Sequence, residues 1–476
     1  MSENRRRRGK RASARRRWAR FAEAVESRLW PMPVAAVIVA VVLGLSIPRI
    51  DLLIDASLPA GVDSVIFNGG SETARSVLSS IAGSLITATS LTFSLTVVAL
   101  QLASSQASPR VLRLFARDRQ VHTTLAVFLG TFAYSITVLR SVRATSNSAV
   151  DFVPRLAVTV GFVLTLVSVI VLVFFLAHLA AQLRVETMLK DIHAETNRTI
   201  DLVGNSIEAA PGYSSRVEIP ARTHAVTAAS SGFITSRDHA DLIACAVAHA
   251  IVIREIKGVG ESVVAGTPLA FWWPDGNGAD RNGSGAESGN IEPGDVEDAV
   301  RRVYSIAYER TAAQDIDFGV QQIVDIGVRA LSPGINDPTT AVNALGHLSA
   351  IVTRTVQLPR LPAALADGDG KLRVVTATQT SAERIHAALS PMRHYGAGDP
   401  SVVTRFLQLI DDVSYTCGSA EVRAALGYQL TALKQQLHAQ TDDPAAVVEM
   451  LAAVAEVTAR LNGSTAPGAP VTPPPR

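Results

Sequence analysis

The sequence predicts a mainly α protein: a polytopic α-helical membrane protein of four transmembrane helices with a cytoplasmic α+β region, which contains a small β module and a helical bundle. Three observations predict it. First, the early part of the chain holds four charge-free gaps: 20 residues between Arg28 and Arg49, 34 between Arg75 and Arg110, 20 between Arg119 and Arg140, and 28 between Arg155 and Arg184. A helix needs roughly 20 residues to cross hydrocarbon, and a charge at its centre costs about 2.5 to 3.5 kcal/mol. Second, the 476 residues are 48% hydrophobic and only 18% charged, below the roughly 25% charged content of soluble domains. Third, the charge-free stretches Val34 to Leu45 and Leu156 to Leu176 are apolar nearly all round, whereas a helix at the surface of a soluble core keeps a polar face.

The elements follow in order. Residues 1–28 form a basic cytoplasmic segment with eleven Lys and Arg against Glu3, Glu23 and Glu26. The spans fall at about 29–48, 76–106, 121–140 and 156–183. With the amino terminus inside, the inner segments carry eighteen Lys and Arg and the outer loops five. The positive-inside rule then puts both termini in the cytoplasm of a bacterial plasma membrane. No Ala-x-Ala site follows the first apolar run, which continues as Ser46-Ile47-Pro48-Arg49, so this is an uncleaved helix and not a signal peptide. The fourth span is expected to run unbroken into a polar helix through Asn205, within a connector over 184–223.

A small β module is expected over 224–274, from the short runs Ala225 to Ala229 and Ile251 to Ile256 and the stretch Gly258 to Leu269. That stretch is similar to barrel-sandwich modules of lipoyl and biotinyl domains, yet no lysine sits in the matching hairpin, so a cofactor carrier is not expected. Residues 275–294 read as a flexible Gly-rich linker. Asp275 and Asn277 begin a calcium-loop spacing that Ala279 and Asp280 break, because the loop needs a ligand and a glycine there. A mainly helical domain follows over 295–462, with a strand at Lys371 to Thr376, and 463–476 is a disordered Pro-rich tail.

The second span is chemically unlike the others. Between Ser76 and Pro109 it carries nine Ser, four Thr and two Gln and no charge. At 100° per residue Ser80, Ser84, Thr87, Ser90, Ser94 and Gln101 fall with Ser76 in one arc of about 120°. Such a face suits a hydrated path, because hydroxyls are costly in lipid; it equally suits close packing of helices, because small residues let backbones approach. Arg110, Arg113, Arg117 and Arg119 follow as a basic cytoplasmic mouth. They fit either a ring that attracts anions or anchoring to lipid headgroups.

A second polar segment runs from Asp315 to Thr340. Asp317, Gln321, Asp325 and Arg329 recur every four residues, on one helix face. Ser332-Pro333-Gly334 ends that helix, and Asn336 or Asp337 caps the next, with Pro338 in its first turn. These six residues form either a capped turn or a polar pocket for a ligand or a neighbouring subunit.

A net charge of +2 removes any argument for a globally basic nucleic-acid binder. Cys245 and Cys417, the only cysteines, cannot build a disulfide framework, and no metal-ligand spacing groups them with histidines. Nucleophile-elbow, phosphate-loop, zinc-protease and dinucleotide motifs are missing, so neither an enzyme nor a cofactor is expected. The expected partners are the lipid bilayer and further copies of the chain.

The run from Ser90 to Arg110, with Val127-Phe-Leu-Gly-Thr-Phe132 and Phe152-Val-Pro-Arg155, resembles a bacterial family of predicted membrane proteins catalogued as domain of unknown function 2254. Phe318-Gly319 and Ala330-Leu-Ser-Pro-Gly-Ile-Asn-Asp-Pro-Thr339 resemble the same family. The resemblance covers most of residues 30 to 455. It implies four membrane helices and a cytoplasmic carboxyl-terminal region, and it implies no activity.

Overall fold

The computed structural model describes residues 31–54, 66–106, 118–142, 152–275, 292–440 and 443–463. The basic start, most of the Gly-rich linker and the Pro-rich tail lie outside the described residues. The chain divides into two compact units at Thr187/Met188.

The first unit holds four helices, each long and apolar enough to cross a membrane: α1 (Pro31–Ile54), α2 (Ser71–Gln106), α3 (Arg119–Leu139) and α4 (Arg155–Gln182). The third is the central post. Its apolar window is 61% buried, against 17 to 22% for the other three, and each of the others packs against it. Glycines set the close approaches. A Cβ at Gly44 would lie 2.9 Å from Thr137, and one at Gly161 would lie 3.4 Å from Leu78.

Many hydroxyls in this unit are satisfied locally, whereas the buried Thr92 Oγ1 and His122 Nε2 have no hydrogen-bond partner among the described residues. Thr89, Thr124, Thr131, Ser135, Thr165 and Ser168 each donate to the carbonyl four residues back, which neutralises a hydroxyl without water. Between helices, Tyr134 donates to the Ala157 carbonyl at 2.9 Å. The N-terminus of α4 follows Pro154, which offers no capping side chain. Asp51 of α1 caps it instead, accepting the Leu156 and Ala157 amides at 3.0 and 3.2 Å. That carboxylate meets the positive end of the helix dipole and amides that otherwise lack partners.

The expected unbroken continuation of the fourth span is not what forms. The helix stops at Gln182 and α5 (Val185–Glu208) starts anew after Leu183 and Arg184. Composition changes sharply there, from a mostly apolar helix to one with a single buried face that includes Met188, Leu189, Ile192, Thr196, Thr199 and Ile200.

The second unit opens with β1 (His224–Thr227), β2 (Gly232–Ser236), α6 (His239–Ala248), β3 (Ile251–Glu255), β4 (Ser262–Val263) and β5 (Pro268–Pro274). It continues through α7 (Pro293–Arg301), β6 (Ser305–Ala307), α8 (Ile316–Ala330) and α9 (Pro338–Val356). Then come β7 (Ala364–Ala366), β8 (Leu372–Val375), α10 (Ser381–Gly396), α11 (Pro400–Thr416), α12 (Ala420–Gln440) and α13 (Pro444–Leu461). The β structure is not confined to 224–274. A five-stranded sheet runs β1-β5-β3-β8-β7, with β3 and β8 parallel and the other neighbours antiparallel, and a three-stranded antiparallel sheet runs β4-β2-β6. Strands from residues 305–307 and 364–375 thus complete the sheets around a core that includes Val226, Ile234, Leu242, Ile253, Trp272 and Val374.

Among the remaining helices, α8 packs on α9 and α10, α9 on α11, and α13 on α11 and α12. Four of them start on an aspartate whose carboxylate accepts a first-turn amide: Asp315, Asp337, Asp399 and Asp443. For the last three a proline follows at once, which suits a helix's first turn because its missing N–H would have no partner there.

Helix α5 presses on α8 and α9. Thr199 donates to the Ala312 carbonyl at 2.6 Å, and Arg354 bonds Asn197 and Asp201 at 2.7 and 2.6 Å. At the tightest point a Cβ on Gly319 would lie 2.0 Å from the Thr196 hydroxyl oxygen and 3.0 Å from the Thr196 Cβ. Gly319→Ala should therefore cost about 1 to 3 kcal/mol through overpacking. Adding Thr196→Ala should recover most of it, and thermal unfolding of the single and double variants checks this.

Candidate functional site

Two surfaces selected from the sequence can be compared directly. On α2, the side buried against α3 and α4 consists of Ala74, Leu78, Ile81, Ala82, Leu85, Thr92 and Ala99. Ser80, Ser84, Thr87, Ser90, Ser94 and Gln101 all lie on the other side and are exposed. Two of the hydroxyls bond their own helix: Ser84 donates to the Ile81 carbonyl and Thr87 to the Gly83 carbonyl, both at 3.0 Å. The arc is not purely polar, since exposed Leu91 and Val98 fall within it.

A pattern that overlaps that arc is more regular. Thr73, Ser76, Ser80, Gly83, Thr87, Ser90, Ser94, Val97 and Gln101 follow one another at alternating spacings of three and four, and every one is exposed. This is the 3.5-residue repeat that a left-handed pair of helices keeps at its seam. Over 28 residue steps it spans roughly 42 Å. At Gly83 an added Cβ would meet nothing within 4 Å. The chain's own packing therefore does not require a glycine at 83, in contrast to Gly44. The broad arc already holds Ser76, Ser80, Gly83, Thr87, Ser90, Ser94 and Gln101 of this seam; Val97 is apolar and Thr73 precedes the charge-free gap.

Arg119 is the exposed first residue of α3; Arg110, Arg113 and Arg117 lie outside the described residues. Beside it Asp118 caps α3 through the Gln120 amide at 2.8 Å, and its other oxygen meets His178 Nε2 of α4 at 2.5 Å.

In the second unit, Asp317, Gln321, Asp325 and Arg329 lie half-buried along α8. Asp317 pairs with Arg384 of α10 at 2.7 Å, and Gln321 donates to Asp325 at 2.7 Å. Asn336 is exposed and takes a positive φ of 49° in the turn. Asp337 accepts the Thr340 amide at 3.1 Å and the Thr340 hydroxyl at 2.6 Å. Those bonds from Thr340, side chain first and then backbone, hold its carboxyl below the usual carboxylate range. Both Asp337 oxygens serve the start of α9.

Two further clusters gave no sign in the spacing of the chain. Glu255, with a fully buried side chain, meets Arg237 Nη1 at 2.6 Å, His239 Nε2 at 3.5 Å and the Tyr304 hydroxyl at 3.3 Å. Burial, reinforced by the Glu255 charge, pushes the Tyr304 phenol well above its ordinary value. Asp315 pairs with Arg310 through two bonds at 2.9 and 3.0 Å under the backbone of Gly260. Its burial raises the carboxyl despite the guanidinium. Such buried pairs fix the arrangement of loops, and removing one partner costs several kcal/mol. Among the described residues no three His, Cys, Asp or Glu side chains come together as a metal site.

The family described as "Predicted membrane protein (DUF2254)" matches residues 26–412. The chain belongs to this family. Its relatives include an uncharacterized protein of Mycobacterium bovis (strain ATCC BAA-935 / AF2122/97) and one of Mycobacterium tuberculosis (strain ATCC 25618 / H37Rv). Each is 32% identical over 450 residues, covering 93% of this chain and 83% of the relative. No solved structure matches the chain. The DUF2254 motif Phe318-Gly319 falls where α5 presses on α8, and the motif ending in Asn-Asp-Pro-Thr339 is the turn from α8 into α9.

That turn gives a prediction. Asp337→Ala should cost about 0.5 to 2 kcal/mol and Asp337→Asn only a few tenths, since Asn caps nearly as well. The lowered carboxyl of Asp337 means its contribution is full above the ordinary aspartate value and is lost as pH falls through the folded value. Chemical denaturation of both variants at neutral and acid pH measures this. Equal stability of all three proteins at neutral pH would contradict it.

Proposed function

We propose that this DUF2254 protein is a homo-oligomeric channel or transport-type assembly of the bacterial plasma membrane, in which the α2 helices of neighbouring copies meet along Thr73 to Gln101 and border a hydrated path. Residues from 188 onward form its cytoplasmic gating or assembly part. One observation carries the reading: eight small or polar residues, with Val97 among them, at 3–4 spacing, all exposed on a helix whose opposite face is buried in its own unit. Left facing lipid, the Gln101 amide and the seam hydroxyls other than that of Thr87 gain no acceptor outside their own helix, whereas a facing helix or a file of water supplies one. The excess of Lys and Arg on the inner segments supports the orientation.

A second reading is a membrane-anchored sensor or scaffold whose helices only pack. The bonds of Ser84 and Thr87 to their own carbonyls favour it, because those hydroxyls then need no water. Its working surface is the α8 face with Asp317, Gln321, Asp325 and Arg329.

The test replaces Cys245 and Cys417 with serine and introduces single cysteines at Ser80 and Ser94 in the full chain in lipid. Both should crosslink between copies and react with small polar thiol reagents. Gly83→Leu should cut the crosslinked fraction about tenfold, a change of roughly 1.4 kcal/mol, with the melting of each protomer unchanged. Crosslinking without reagent access favours the packing-only reading. Absence of crosslinks at both positions contradicts the assembly.

Orientation is tested in the same background. A cysteine at Gly70 should react with an impermeant reagent outside whole cells, and one at Gly368 should not. Labelling at Gly368 contradicts a cytoplasmic second unit.

A further inference from the structure

Where α5 lies against α9, two histidines face each other. His193 Nδ1 and His347 Nδ1 are 3.1 Å apart, with the rings edge to face at a centroid distance of 5.0 Å. A bond between two Nδ1 atoms requires that one ring carry its hydrogen there and the other present a lone pair. One added proton can be accommodated on the outer nitrogen of the accepting ring's neighbour. Two added protons cannot, because both Nδ1 atoms then carry hydrogens that point at each other and both rings are cationic.

The surroundings add to that conflict. Arg354, also on α9, lies close enough for its charge to act on His193, and it bonds Asn197 and Asp201 of α5. On α5 itself, Lys190 and Asn197 share the side of His193. From α11, the Arg405 guanidinium comes within 3.9 Å of where a Cβ on Gly346 would sit. The nearby carboxylates are already engaged: Asp201 by Arg354, and Asp412 by Ser349 at 2.5 Å and Arg405 at 3.4 Å. Helix α5 begins only two residues after α4 ends.

From this geometry we infer that His193 and His347 form a proton-operated latch, which fastens the helix following the fourth span to α9 at neutral pH and releases it on acidification. Burial, then Arg354, lowers His193; burial, then His193, lowers His347. The closed pair therefore holds fewer protons than the open one. Closure is complete above the ordinary histidine value of about 6.5 and is lost as pH falls below it.

Hydrogen exchange of the full chain in lipid nanodiscs, corrected for the intrinsic pH dependence of exchange, tests the latch. Amides of residues 189–205 should lose protection by about tenfold per pH unit for each proton taken up below about pH 6.5, while amides of 402–413 stay protected. The double variant His193→Asn/His347→Asn keeps a side-chain hydrogen bond that does not titrate, and its protection should not change with pH. Arg354→Gln should shrink the loss and end it at a higher pH, because removing the charge that lowers His193 in the closed state narrows the difference in protons held by the closed and open states. The latch is overturned if the parent stays protected down to pH 5, if 402–413 opens in parallel, if the double variant loses protection as the parent does, or if the loss in Arg354→Gln is as large as in the parent.

Discussion

A hydroxyl or amide that faces hydrocarbon must find an acceptor, and this requirement organises the first unit. Most of its Ser and Thr side chains meet it by bonding a carbonyl one turn back, as Thr131, Ser135 and Thr165 do. The helix ends meet it across the fold, with Asp51 holding the first amides of α4 and Asp118 those of α3. Once those needs are met, α3 can be buried by its three neighbours, and the apolar flanks of α1 and α4 are free to face lipid. What the unit leaves over, besides the buried Thr92 hydroxyl and His122 Nε2, is the seam on α2, mostly polar and left exposed among the described residues.

Charge gaps made the four helices legible, since each gap is about the length a bilayer demands. The ends were less so. Helix α1 extends past Arg49 to Ile54, because Asp51 is held by the α4 amides, a partner 105 residues away. Helix α2 starts at Ser71, because Glu72 and Arg75 sit in its first turns, outside the apolar window on which gap counting relies. The break at Leu183 and Arg184 lay hidden in a continuous helical pattern.

In the second unit the strand at 372–375 was legible and its place in the sheet was not. A short apolar run shows its own conformation, while its pairing with β3 depends on contacts more than 100 residues apart. The Asp-Pro pair at 337–338 reads as a helix start, and the same two residues at 399–400 and 443–444 carry the same physics. The Glu255 cluster and the facing histidines of α5 and α9 had no local signature at all, since each draws its members from separate elements. On α8 the four-residue polar repeat was legible, but its environment was not: Asp317 is matched by Arg384 from a helix 64 residues further on. The uncharacterized mycobacterial relatives share the family and carry no activity to this chain, so the functional account rests on the exposed α2 seam.

The most direct test of that account is a particle-averaged structure of the full chain in a lipid bilayer. The account predicts α2 of one copy lying along α2 of the next over Thr73 to Gln101, closest at Gly83, with ordered water beside Ser80, Thr87 and Ser94. A structure in which that face meets acyl chains alone, along its whole length, would contradict it.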